Sequence, residues 1–300
     1  MIRLPIFLLA YAILLMGTNA SANLCGVIHP STHANQYQQL LQLSNFKTIQ
    51  HFKEIPARLH RITQIFAIAG DRRGLFPGIY APVAERTIQY LATLPPSTQV
   101  PLRKIIWIFA ERYFNTLNKH LTAQPIPAYW HLYYQSSLTC PAPSLLVISY
   151  GLLAHLSFDL KHALTKANVT DGLFPDYLRL GNDLTRTKPI IIHNIARLYH
   201  IDIRPLLEGF WVSDTLNRRT QAHNLSAILT FNALRMEAWM SSRAQHYSLG
   251  YFDHLVEQSQ MMLWKMRVEM LNRMALAGML SLPPKPRQEL RQLNQYNRRD

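Results

Sequence analysis

Apolar residues return every three or four positions along most of this chain, the spacing of helices with one buried face. No stretch combines strict apolar–polar alternation with the Asn-Gly or Asp-Gly turns of a β-hairpin. The pattern predicts an all-α protein, a single helical domain of about ten helices around a buried central helix. Expected helices are 34–44, 57–69, 79–94, 100–122, 128–138, 144–167, 175–184, 189–199, 220–247 and 252–279. Pro-rich stretches such as "LPPSTQVP", "QPIPA" and "CPAPS" separate them, as stops or first-turn prolines. The last two helices should form a long hairpin across "YSLGYF". Its core stripes are read as Leu225, Ile228, Leu229, Phe231 and Leu234, then Leu255, Met262, Leu263, Met266 and Met270.

Both ends of the chain change this picture. The start has one charge, Arg3, then an apolar run from Leu4 to Met16 and small residues at Ala20 and Ala22. This is the layout of a secretory signal over 1–22, and the run is short of the ~20 residues that span a bilayer. The exported all-α domain is then expected over 23–282, with no transmembrane segment after cleavage. Residues 283–300, within "PPKPRQELRQLNQYNRRD", read as a basic mobile tail. A periplasmic or secreted location follows, and in an oxidising compartment Cys25 and Cys140 read as one disulfide. Net charge is +14. For an exported chain this directs attention to anionic lipid or an acidic polymer or protein, and nucleic acid becomes an unlikely partner.

The candidate chemistry lies in "GLLAHLSFDLKHAL", residues 151–164. His155, Asp159 and His162 share a helix face, with His155 and Asp159 on its apolar part. A buried carboxylate needs a partner. Three roles are open for the pair: a structural hydrogen bond, two ligands of a divalent metal, or a general base oriented by an acid. Asp71 in "AGDRRGLFPGIY" and Asp176 in "LFPDYLRLGNDL" are further ligand candidates. Asp71 could equally follow a helix end in a solvated basic loop, and Asp176 could be a first-turn acid. Arg112, beside Glu111 in "IIWIFAERYFNTL", and Arg235 in "LRMEAWM" are charges in apolar helices. Both are expected ion-pair partners for Asp159. Neither a G-x-S-x-G nucleophile motif nor a Cys-His pair is evident, which disfavours serine or cysteine hydrolysis.

These segments carry a resemblance. "GLLAHLSFDLKHAL" looks like the central A-H-[IL]-x-x-D-L signature of the bacterial and fungal family catalogued as domain of unknown function family 5995. "GDRRGLFPGIY", "FAERYFNTL", "PDYLRLGNDL" and "RMEAW" are similar to its other segments, over roughly residues 55–245. The resemblance implies a helical domain with His155 and Asp159 as characteristic residues and no assigned activity. The H-x-x-x-D step is also distantly similar to helical zinc-dependent phospholipases and nucleases. The second such step is missing here, and Asn23 stands where those enzymes begin with Trp, so their trinuclear site is not carried over. Two function classes remain: a small envelope hydrolase using His155 and Asp159, or a non-catalytic protein binding an apolar or anionic ligand.

Overall fold

A computed structural model describes residues 25–140, 142–207, 225–247, 253–277 and 280; the expected signal, the 283–300 tail and the 248–252 turn lie outside the described residues. The described chain is all-α. Its helices are α1 (Ala34–Ser44), α2 (Glu54–Ile68), α3 (Leu75–Leu91), α4 (Pro96–Leu121), α5 (Ala128–Leu138) and α6 (Ser144–Leu153). A π-turn, Ala154–Asp159, joins α6 to α7 (Leu160–Ala167). Then come α8 (Phe174–Leu184), α9 (Lys188–Tyr199), the short α10 (Arg204–Leu207), α11 (Leu225–Tyr247) and α12 (Asp253–Leu276).

Local chemistry sets many of these boundaries. Pro96 opens α4, and Pro175 and Pro189 sit in the first turns of α8 and α9, where no intrahelical N–H is lost. Asn168 and His200 end α7 and α9 in the left-handed conformation, with φ of 53° and 56°. Helix α3 starts four residues before the expected Ile79, because Pro77 lies in its first turn and needs no donor there.

The α6, π-turn and α7 series is the expected central helix, almost entirely buried. Around it pack large buried aromatics, Tyr113, Trp130, Tyr133 and Tyr177 among them. The final hairpin needs a correction. Phe231 is half-buried and Leu234 buried in α11, while the side chains of Leu225, Ile228 and Leu229 lie outside the described residues. In α12, however, Leu255, Met262, Leu263, Met266 and Met270 are exposed. The inward side of α12 carries Trp264, Val268 and Leu271 together with polar anchors: Gln260 Nε2 donates to Ser157 O at 2.7 Å, and Tyr150 Oη donates to Asn272 Oδ1 at 2.5 Å.

A second correction concerns Asp71, Arg72 and Arg73, which are buried rather than a solvated loop. Asp71 accepts from the Ile28 amide at 2.8 Å and holds Arg73 in a 2.5 Å ion pair, while Arg73 also donates to Ile28 O. Arg72 donates to the carbonyls of Ser136, Ser137, Thr139 and Ala142. That loop contains Cys140, joined to Cys25 by a disulfide as expected. The basic motif therefore clamps the segment beginning at Cys25 and the α5–α6 loop onto α2 and α3. Among the described residues, no helix is long and apolar enough to cross a membrane.

Candidate functional site

The site is built on the π-turn. Leu160 N–H reaches back five residues to His155 O, so the turn takes in one more residue than an α-helical turn. His155 and Asp159 lie within it, both buried. His155 Nδ1 and Asp159 Oδ2 are 3.0 Å apart. Two donors arrive from α5: Trp130 Nε1 to Oδ2 and Tyr129 Oη to Oδ1, each at 3.0 Å. Arg112, on α4, stands 3.5 Å from Oδ1 and donates to Tyr129 Oη at 2.7 Å. The groups around Asp159 are donors, the surroundings an ionised carboxylate accepts.

This fixes the imidazole. A carboxylate can only accept, so Nδ1 carries the proton and Nε2 the lone pair. Burial pushes the His155 pKa below the ordinary histidine value, against the pull of Asp159, and keeps the ring neutral. The ring stacks on Phe109 at 3.6 Å and meets Phe76 and Tyr80 edge-on. Its Nε2 is buried without a hydrogen-bond partner among the described residues.

His155 lines a cavity of about 80 Å³ between α3, α4, the central helix, α8 and α11. Its walls are mainly aliphatic, with Ile79, Val83, Leu102 and Leu180 among them. The polar side chains in the wall are His155, Arg235, Tyr80 and Tyr177. Tyr177 Oη donates to Arg235 O, whereas Tyr80 Oη has no partner among the described residues. Burial raises the Tyr80 pKa, so it remains a phenol. Arg112 and Tyr129 also line a separate open cleft of about 490 Å³ with Lys161, His162 and Lys166.

The expected site residues are only partly brought together. Arg112 reaches Asp159, but Arg235 does not: it lies over the Tyr177 ring at 4.0 Å and donates to Tyr177 O. Glu111 pairs with Lys166 at 3.6 Å, outside the cavity wall. Asp71 is engaged in the N-terminal clamp, and Asp176 pairs with Arg179 on α8 at 2.7 Å. Among the described residues, no three His, Cys, Asp or Glu side chains gather as metal ligands. Asp159 is already surrounded by donors, and Nε2 opens onto an apolar wall, so this donor set does not fit a divalent ion. Sequence reasoning missed Tyr129 and Trp130 as partners of Asp159.

Residues 52–273 match the model of the Family of unknown function (DUF5995). The chain belongs to that family. The match covers Asp71, Arg72 and Arg73, the π-turn pair, Arg112 and Arg235, whereas Cys25 and Ile28 at the start of the clamp lie before it. No curated protein and no solved structure matches the chain.

Proposed function

We propose that this family member is a non-catalytic binding protein whose α3–α4–α8–α11 cavity holds a small, largely apolar molecule, with His155 Nε2 as a polar contact. The supporting observation is the orphaned nitrogen itself. A buried acceptor without a partner is costly, and a ligand hydroxyl donating to Nε2 removes that cost. Asp159, Trp130, Tyr129 and Arg112 serve this reading as the frame that fixes the ring. Export is part of the proposal, since the Cys25–Cys140 disulfide suits an oxidising compartment.

Calorimetry with hexan-1-ol tests the binding reading. Saturable 1:1 binding is expected, and Val83→Trp, at the half-buried edge of the cavity, should abolish it without unfolding the protein. Absence of saturable binding refutes it. The competing hydrolase reading draws on the same acid-oriented imidazole, because a neutral Nε2 is the form a general base needs. No Asp, Glu, Ser or Cys stands among the described residues lining the cavity, which favours binding. Ester turnover abolished by His155→Ala in a folded protein would reverse that preference.

A further inference from the structure

Arg72, Arg73 and Arg235 are the buried arginines among the described residues. Two of them are compensated. Arg73 has the Asp71 carboxylate, and Arg72 has four backbone carbonyls. Arg235 is different. Its guanidinium donates to Tyr177 O at 2.5 Å and to Asn232 Oδ1 at 3.4 Å, and has no described carboxylate within ion-pair distance. A guanidinium has five N–H donors in a planar fork, and among the described residues these two neutral oxygens are the acceptors it meets. The ring of Tyr177 at 4.0 Å and that of Phe231 at 5.5 Å stabilise the cation without supplying an anion.

The position is built for this side chain. Gly181 on α8 leaves the space it occupies: a Cβ there would stand 1.4 Å from Arg235 Nη1. Arg235 lines the same cavity as His155, and the other lining residues are aliphatic or aromatic. Desolvation lowers the Arg235 pKa, as expected for a cation held without an acid.

We propose that the cavity ligand is a small aliphatic hydroxymonocarboxylate whose anionic end binds the fork of Arg235 and whose hydroxyl donates to His155 Nε2, while its chain lies along the apolar wall. This inference rests on the binding reading above and adds the charge and size of the ligand. A planar carboxylate matches the guanidinium geometry, and one negative charge balances the one cation in the wall. A cavity of about 80 Å³ accommodates roughly five to eight water-sized groups, with one water needing ~10–15 Å³. That suits a short chain rather than a long acyl tail.

The test uses the whole mature protein with hexanoate and hexan-1-ol as matched probes, followed by calorimetry and by the side-chain ¹⁵N signal of Arg235. Hexanoate should bind at least about tenfold tighter than hexan-1-ol, and only hexanoate should move the Arg235 Nε–H signal markedly. Arg235→Lys should keep part of the preference and Arg235→Gln should lose it. Should either variant fail to fold, the wild-type probe comparison and the Arg235 signal still decide the matter. Equal affinity of the two probes, or an unmoved Arg235 signal at hexanoate saturation, overturns the carboxylate assignment and leaves the cavity reading standing. If neither probe saturates, the cavity reading fails and the carboxylate assignment fails with it.

Discussion

Replacing Asp159 by alanine removes the acceptor at the centre of the buried network. Trp130 Nε1, Tyr129 Oη and His155 Nδ1 each lie 3.0 Å from its oxygens, and Trp130 and His155 are buried. Each stranded buried donor costs about 1–3 kcal/mol. Tyr129 and Arg112 can turn partly toward the open cleft they line, which limits the sum. The expected loss is therefore about 3–5 kcal/mol, the range for breaking a buried charged pair. Asp159→Asn keeps the shape and one acceptor oxygen but turns an NH₂ toward donors, so it should cost about half as much. Arg112→Met should cost least, about 1 kcal/mol, because the arginine side chain is 30% exposed and Asp159 keeps Tyr129, Trp130 and His155 as donors. Urea unfolding followed by tryptophan fluorescence and circular dichroism measures all three. The ordering Ala, then Asn, then Arg112→Met is the signature. An Asp159→Ala change within about 0.5 kcal/mol, typical of a surface position, refutes the buried network.

Other outcomes follow from the same contacts. Gly181→Ala forces Arg235 from its seat and should destabilise by about 1–3 kcal/mol in urea unfolding; an unchanged midpoint would mean the guanidinium is not packed there. Reducing Cys25–Cys140, which spans 115 residues, should lower stability by about 4–5 kcal/mol in the chain-entropy model, read as a shift of the urea midpoint with reductant. Arg72→Met removes the side-chain donor shared by four carbonyls at the end of α5 and in the Cys140 loop, and should speed hydrogen exchange or proteolysis at 136–142 before global unfolding. Acid should weaken the fold. Burial depresses His155, and depresses His120 to about 4 from 6.5. The unfolded chain then binds more protons between those values, and stability rises with pH in that window. It should be fully present above about pH 6.5 and decline as pH falls toward about 4; urea midpoints at pH 7 and pH 5 in the opposite order contradict this.

Much of the helical layout was legible in the sequence. The ends of the central helix are marked by Pro143 and Asn168, and those of α5 by Pro127 and the Pro-rich loop after Leu138. The start of α3 failed at Pro77, although those of α8 and α9 held at Pro175 and Pro189, because the sequence signal for a stop and for a first turn is the same. The methionine stripe of α12 shows a different limit. Periodicity identifies a face but not which face is buried, and Trp264, Val268 and Leu271 take the inward side with Gln260 and Asn272. Arg112 was one of two partners expected for Asp159, since charges in apolar helices each need compensation, and it is the one that reaches the carboxylate. Trp130 and Tyr129 gave no such signal, because neutral N–H and O–H donors are ordinary on aromatic helices. Arg235 was misread for the complementary reason: an arginine in an apolar helix implies an anion, and the sequence does not say whether the protein supplies it. The π-turn was illegible, being a one-residue change in hydrogen bonding within a continuous helical pattern.

The most direct test of the account is the ¹⁵N spectrum of histidine-labelled protein at pH 7, recorded free and with saturating hexan-1-ol. His155 should be neutral with its proton on Nδ1 and a bare Nε2, and Nε2 should shift as the alcohol hydroxyl donates to it. A proton on Nε2, an imidazolium, or a His155 signal that hexan-1-ol leaves unmoved contradicts the claim that this nitrogen is held open for a ligand.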